Sequence, residues 1–266
     1  FGGRTVIRLL DKTARLYRLA ELGMPGGVLD CFRRLIRKDH GIILVTGPTG
    51  SGKSTTLYAA LQEINSSELN IITLEDPIEY RLDGISQTQV SDRKGMTFAS
   101  GLRHVLRQDP DIIMLGEIRD AETAHMAIQS ALTGHLVFST LHTNDAAGAV
   151  ARMLDLGVEP YLLASSLLGV LAQRLVRKVC PACRTAWEPE HDDWLRWGIQ
   201  PGLAGEQTFY RGTGCELCMQ TGFRERIGIF ELLTVDEALR EQILLRARAS
   251  TLKSLAIKGG DRKSVV

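Results

Sequence analysis

Nine consecutive residues carry the densest chemistry in this sequence: Gly47, Pro48, Thr49, Gly50, Ser51, Gly52, Lys53, Ser54 and Thr55. They fit the pattern G-x-x-x-x-G-K-[ST], in which glycines let successive backbone N–H groups turn inward around phosphate oxygens. Lys53 is spaced to reach the outer phosphates of a nucleoside triphosphate, and Ser54 offers a hydroxyl to Mg²⁺. The run follows a strand-like apolar stretch, Ile42–Val45, and precedes a helix-like one, the setting such a loop requires. The plain alternative is a glycine-rich strand–helix turn with no ligand. With strand, loop, Lys-Ser pair and helix all in register, that alternative is the weaker one.

Chemistry on a triphosphate needs carboxylates opposite the phosphates, to hold Mg²⁺ and to orient the attacking water. Two apolar runs end in acids. Ile112-Ile-Met-Leu-Gly-Glu117 has the strand-then-acid form of a Walker B segment, with Glu117 in place of the usual aspartate. The run starting at Ile71 ends in Glu75 and Asp76, with Glu79 close behind. A single acid there reads equally well as a helix cap or a solvated loop carboxylate; two clusters together with a phosphate loop do not. His135 and His142 flank a further apolar run. Either alone fits a hydrogen-bonded structural histidine, but the polar series Ser139, Thr140, His142, Thr143 and Asn144 suits a sensor of the γ-phosphate.

Cys180-Pro-Ala-Cys183 and Cys215-Glu-Leu-Cys218 form two C-x-x-C pairs, separated by more residues than a usual zinc ribbon has. Four thiolates suit tetrahedral Zn²⁺, each pair presenting two sulfurs from one turn. Disulfides, free thiols or thioredoxin-like redox chemistry are the alternatives, although a redox C-x-x-C belongs at a helix start in a different fold. Cys31 stands apart in a helical stretch and reads as an inert buried thiol.

These residues need a scaffold, and the hydrophobic pattern supplies one. Short β-branched runs at 41–46, 70–74, 112–115 and 136–140 alternate with helical stretches at 54–64, 98–107, 121–133 and 146–156. Continuously apolar strands alternating with helices predict an α/β fold with a mostly parallel sheet covered on both faces. A strand is also expected at 5–10 and an amphipathic helix at 13–22. Tyr161–Ala172, the longest apolar stretch, is too short for a membrane span and reads as one buried helix. After residue 175 prolines, glycines and all three tryptophans (Trp187, Trp194, Trp197) mark a loop-rich insert; helix is expected again from Ile229. Basic and acidic side chains nearly cancel, 32 against 31, which argues against binding nucleic acid by bulk electrostatics. Five cysteines are too few for a disulfide-stapled secreted scaffold, and no signal-peptide layout is present, so a cytoplasmic protein is expected. The chain opens without methionine and reads as a segment of a longer protein.

Taken together, the motifs resemble the secretion ATPases of the type II/type IV pilus superfamily, most closely the type II secretion ATPase (GspE) family. The matching elements are GPTGSGKST at 47–55, ITLEDPIEY at 72–80, LRQDPDIIMLGEIRD at 106–120 and TGHLVFSTLHTN at 133–144. The stretch 156–183 also looks like that family, on the secretion side rather than the retraction side. The resemblance implies a RecA-like P-loop ATPase acting as a homo-hexamer with ATP and Mg²⁺. Its place would be the cytoplasmic face of a bacterial inner membrane, bound peripherally through inner-membrane secretion-platform proteins, with no nucleic-acid partner. The work implied is pseudopilus assembly for protein export. By position, Lys53, Ser54 and Thr55 would bind phosphate and magnesium, Glu117 would be the Walker B acid, and Glu75 would activate the attacking water. His142 matches the histidine-box residue near the γ-phosphate. Arg8, and with it Arg4, matches an arginine that approaches the nucleotide from a preceding domain. The family also carries a tetracysteine metal-binding subdomain at the position of Cys180, Cys183, Cys215 and Cys218.

The expected division is the end of an N-terminal domain and linker at 1–25, a RecA-like core at 26–176, a tetracysteine subdomain at 177–226 and a C-terminal helical region at 227–266. The tail after 258 departs from the family pattern. Three other readings stay open: a type IV pilus extension ATPase sharing every motif, a RecA-like nucleic-acid translocase, and a nucleotide-binding scaffold without turnover.

Overall fold

The structure, a computed structural model, describes residues 16–91, 95–197, 208–258 and 262–263. The strand expected at 5–10, Arg4, Arg8 and residues 13–15 of the helix expected at 13–22 lie outside the described residues; over 16–22 that helix is not formed, and only a 3-10 turn, Leu19–Glu21, is present. The chain divides into two compact units, Phe1–Arg174 with Gly228–Val266, and Leu175–Ile227.

In chain order the first unit contains α1 (Gly26–Leu35), β1 (Gly41–Thr46), α2 (Lys53–Ile64), β2 (Ile71–Glu75), β3 (Ser86–Gln89), α3 (Phe98–Val105) and β4 (Ile112–Leu115). There follow α4 (Ala121–Leu132), β5 (Leu136–Leu141), α5 (Ala146–Asp155), α6 (Pro160–Ser166) and the start of β6 (Leu167–Val179). The sheet runs β10-β9-β6-β1-β5-β4-β2-β3, where β9 is Phe223–Thr234 and β10 is Arg262–Lys263. All pairings from β6 to β3 are parallel. The strand carrying the phosphate loop, β1, is thus separated from the strand leading to Glu117, β4, by β5 alone. The mostly parallel α/β sheet expected from the sequence is present.

Every residue of β1, β2, β4 and β5 is buried, which is why these strands read as unbroken apolar runs. Alternate side chains face opposite layers. Ile42 and Leu44 pack with Leu102, Ile128 and Val150 under α3, α4 and α5. Ile43 and Val45 pack with Phe32, Leu57 and Leu61 under α1 and α2. Each such side chain contributes roughly 1.5–3 kcal/mol by leaving water. Capping side chains start the helices that approach the site: Asp120 accepts from Thr123 N at 2.8 Å, and Asp145 from Gly148 N at 2.9 Å.

Two further expectations need correction. Tyr161–Ala172 is not one helix: α6 ends at Ser166 and β6 begins at Leu167, beside β1. A short apolar run is ambiguous between helix and strand, and here tertiary pairing decides. Gly169 marks the tight spot, since a Cβ there would lie 2.8 Å from Leu35 and 2.9 Å from the Leu233 carbonyl. The segment from Ile229 to Leu233 is likewise strand, the end of β9, with Gly228, Phe230 and Leu232 buried at period two. Helices resume only at α8 (Glu237–Leu244) and α9 (Ala249–Lys258). The polar edge strand β3 carries no apolar signal and was not expected.

The second unit holds the outer parts of β6 and β9, an antiparallel pair β7 (Arg184–Trp187) and β8 (Phe209–Gly212), and α7 (His191–Trp197). Trp194 packs edge-on against Phe209, with ring centroids 5.5 Å apart, and Arg211 stacks over Trp187 at 4.0 Å.

Candidate functional site

In parallel α/β sheets ligands bind beyond the carboxyl ends of the strands. Here the loop 47–52 leaves β1, Glu75 closes β2, Glu117 follows β4 and His142 follows β5. The expected phosphate-loop, acidic and histidine residues therefore all lie at the carboxyl ends of the parallel strands. Gly47, Gly50 and Gly52 all have positive φ (148°, 77° and 87°), conformations that side chains oppose. At Gly47 a Cβ would meet the Gln173 carbonyl oxygen at 2.3 Å and Ser51 Oγ at 2.7 Å, so only glycine fits.

Gly52, in the left-handed conformation, is the N-cap of α2, and Lys53 begins the helix. The Lys53 ammonium donates to the carbonyls of Gly47 (2.9 Å) and Pro48 (3.3 Å), placing its charge inside the turn. Burial pushes its pKa below the ordinary lysine range, and the Glu117 carboxylate opposes that in part. Pro48, Thr49, Gly50 and Ser54 are exposed, Thr55 is half-buried and Ser51 is buried.

Glu117 is held from two sides. Arg119 donates to its Oε1, and His142 Nε2 lies 3.5 Å from Oε2. The loop beneath it is pinned by Thr140 Oγ1 to the Gly116 carbonyl (2.7 Å), Ser139 Oγ to the Leu115 carbonyl (3.1 Å) and Ile118 N to the Thr140 carbonyl (3.1 Å). Thr46, the last residue of β1, accepts from Thr143 N at 2.9 Å, which ties the base of the phosphate loop to the histidine loop. The polar series at the end of β5 thus joins three strand ends.

Glu75 is placed differently. It is buried, and its carboxylate accepts from Thr73 Oγ1 (2.5 Å) and Gln87 Nε2 (3.0 Å) on Oε1 and from the Tyr58 hydroxyl on Oε2. Tyr58 comes from α2, the helix that the phosphate loop opens. Burial and the Glu75 carboxylate both push the Tyr58 hydroxyl far above the usual phenol range. Tyr80 packs edge-on to Tyr58, centroids 4.6 Å apart, and burial pushes its pKa up to about 12. Tyr58, Gln87, Arg119 and Gln173 were not singled out as site residues from the sequence. A polar residue closing an apolar run was the available signal at Gln173.

In the second unit the four thiols of Cys180, Cys183, Cys215 and Cys218 lie within 4.8 Å of one another. Sulfur separations are 3.9 Å (Cys180–Cys215), 3.8 Å (Cys183–Cys218) and 3.7 Å (Cys215–Cys218). A tetrahedron of Zn–S bonds of about 2.3 Å has edges of about 3.8 Å, so the donor set fits zinc. Backbone N–H groups of Cys215 (3.2 Å) and Gly222 (3.3 Å) donate to Cys218 Sγ, support suited to a thiolate.

Residues 1–264 match the Type II/IV secretion system protein family. The chain is 60% identical over 242 residues to the Type II secretion system ATPase E of Vibrio cholerae, covering 91% of this chain and 48% of that protein. It is 47% identical over 260 residues to the Type IV pilus assembly ATPase PilB of Thermus thermophilus, covering 98% of this chain and 29% of that one. The chain spans about half the length of the type II relatives it matches. Among solved structures it is similar to the pilus retraction motor PilT with bound ADP, at TM-score 0.67 and 31% identity over 93% of this chain and 61% of that one. With the family match running almost end to end over this fold and phosphate loop, the chain belongs to the Type II/IV secretion system protein family.

Proposed function

We propose that this chain is the motor portion of a magnesium-dependent ATPase that powers pseudopilus assembly in type II secretion. The observation that carries the reading is Lys53 buried in its glycine loop, its ammonium bonded to the Gly47 and Pro48 carbonyls, with the Glu117 carboxylate attracting it from beyond the end of β4, two strands away. In this reading the loop 47–55 wraps the phosphates, Lys53 bonds the outer ones, and Ser54, Thr55 and Glu117 face the metal. Bound Mg²⁺ would neutralise charge on the phosphates. Arg119 and His142 hold Glu117, and His142 reads the γ-phosphate. Glu75 orients the attacking water, Tyr58, Thr73 and Gln87 fixing its carboxylate. Arg8 lies outside the described residues and is kept as a contributor from the preceding segment. The four cysteines would hold structural Zn²⁺, closing a unit whose described residues join neither hydrophobic cluster of the fold.

The type II assignment over pilus extension rests on the higher identity to type II relatives, 60% against 47%. The near-neutral charge continues to weigh against a nucleic-acid translocase. A homo-hexamer at the cytoplasmic face of the inner membrane, docked on platform proteins, completes the proposal. Among the described residues no helix is long and apolar enough to cross a membrane. The domain limits proposed remain 1–25, 26–176, 177–226 and 227–266, the last now containing strand as well as helix.

The test is phosphate release from MgATP by the full-length protein and its Lys53→Ala variant. Turnover should fall at least about a hundredfold, and loss of the same order is expected for Glu117→Gln. Unchanged turnover in Lys53→Ala refutes the site, and stimulation by DNA moves the function to the translocase reading.

A further inference from the structure

Gln173, near the end of the first-unit part of β6, is a buried polar side chain whose two ends are both engaged. Its Nε2 donates to the Ser51 carbonyl at 2.7 Å, and its Oε1 accepts from the Thr56 hydroxyl at 2.8 Å. Ser51 is in the phosphate loop and Thr56 is in the first turn of α2. Gln173 therefore bridges the two sides of Gly52, the glycine that ends the loop, from a strand with no part in the sequence motif.

A trans peptide is planar, with its C=O and N–H pointing in opposite directions. Fixing the Ser51 carbonyl toward Gln173 sends the Gly52 N–H to the other side. Gly52 sits at φ 87°, and a glycine there offers little resistance to rotation of the preceding peptide. If that peptide turned over, a carbonyl oxygen would face the anion in place of an N–H donor. The next peptide is held separately, by Thr56 N to the Gly52 carbonyl at 3.0 Å. The Ser51–Gly52 peptide depends on Gln173.

We infer that Gln173 is a positioning residue for phosphate binding. Its side-chain amide sets the Ser51–Gly52 peptide so that the Gly52 N–H faces the bound phosphates, and the Thr56 hydroxyl sets the amide in turn. The inference rests on the reading of 47–55 as a nucleotide phosphate loop. It adds a residue which that reading leaves out, and it assigns Gln173 to the phosphate half of the ligand rather than to the base.

The experiment is calorimetric titration of the chain with MgADP and, separately, with magnesium pyrophosphate, with thermal unfolding of each ligand-free variant alongside. Gln173→Glu keeps the shape and the Thr56 bond but sets an acceptor against the Ser51 carbonyl. Thr56→Val removes only the orienting hydroxyl, and Thr56→Ser keeps it. Gln173→Glu should weaken both ligands by the same factor, about tenfold or more, as expected for a buried donor replaced by an acceptor. Thr56→Val should weaken both by a smaller common factor, and Thr56→Ser should restore the parent affinity. Ligand-free unfolding temperatures should not account for these losses. Parent-like affinity in folded Gln173→Glu and Thr56→Val overturns the inference and leaves the nucleotide reading standing. So does a loss seen with MgADP but not with pyrophosphate. Should Gln173→Glu fail to fold, the contrast between Thr56→Val and Thr56→Ser decides. If the parent chain binds neither ligand, the nucleotide reading falls, and the inference with it.

Discussion

Replacing Tyr58 with phenylalanine tests the least expected part of the site. The ring is 1% exposed and Glu75 is 4% exposed, so the hydroxyl–carboxylate bond is shielded from water. Among the described residues Oε1 of Glu75 has two donors, Thr73 and Gln87, whereas Oε2 has Tyr58. Phenylalanine fills the same space and keeps the edge contact with Tyr80, so the change removes a donor without opening a large cavity. A hydrogen bond to a charged group is worth about 1.5–3 kcal/mol, and the orphaned partner is buried. We therefore expect Tyr58→Phe to cost about 2 kcal/mol, a fall in Tm of roughly 4–8 °C for a domain of this size. Denaturant unfolding should show a lower midpoint at unchanged slope. In a Glu75→Leu background the same change should cost only about 0.5 kcal/mol, because the hydroxyl then has no carboxylate to serve and loses only the long bond it accepts from Glu79 N at 3.4 Å. The difference between the two backgrounds, about 1.5 kcal/mol, is the coupling. A loss below about 0.5 kcal/mol for Tyr58→Phe, or an equal loss in both backgrounds, refutes the view that Tyr58 holds the carboxylate.

Elemental analysis should find near one zinc per chain, and Cys215→Ser or a strong chelator should remove it; no metal in a freshly reduced sample counts against the tetrahedral site. All three tryptophans lie in the cysteine-bearing insert, so metal loss should also change tryptophan fluorescence. In alkaline titration Tyr80 should ionise near pH 12, with Tyr58 later still, both behind an unfolded-state value of about 10. Because the folded values are the higher ones, the stability they contribute is complete below about pH 10 and is lost as pH rises through 12. Ultraviolet phenolate absorbance measures this, and both tyrosines ionising near pH 10 in the folded protein would contradict it.

Much of the fold was legible because its central strands are buried on both faces. The sequence of β1, Gly-Ile-Ile-Leu-Val-Thr, leaves no polar face to hide and follows from composition alone. Legibility ended where burial stopped being two-sided or where a run admitted two periods. β3, Ser-Gln-Thr-Gln, is an edge strand held by its backbone pairing with β2, and a polar edge gives no pattern to read. Leu167–Ala172 is apolar at every spacing, so only its place beside β1 makes it strand. In β9 the period-two burial of Gly228, Phe230 and Leu232 competes with the apolar neighbours Ile229 and Leu233, which mimic a helix turn.

The site divides along a similar line. Lys53, Glu117 and His142 are readable as candidates because each follows a local rule: a loop that must turn on glycines, an acid that ends a strand, a polar run at a strand tip. Tyr58, Gln87 and Gln173 act across the fold, 17, 12 and 122 residues from the partners they hold, and no local pattern encodes such a pairing. Their shared property is physical. Each directs its polar atoms at a candidate site residue, Tyr58 and Gln173 from inside the protein and Gln87 from a half-buried position, and a buried unmet hydrogen bond costs about 1–3 kcal/mol. A buried tyrosine or glutamine at the rim of a phosphate site therefore has few neutral substitutes. Leucine at 173 would leave the Ser51 carbonyl and the Thr56 hydroxyl both without their partner, whereas leucine at an exposed position would leave nothing. The residues proposed to grip the ligand are announced by motif, and those that hold them in shape become visible only once the sheet has set β6 beside β1 and β3 beside β2.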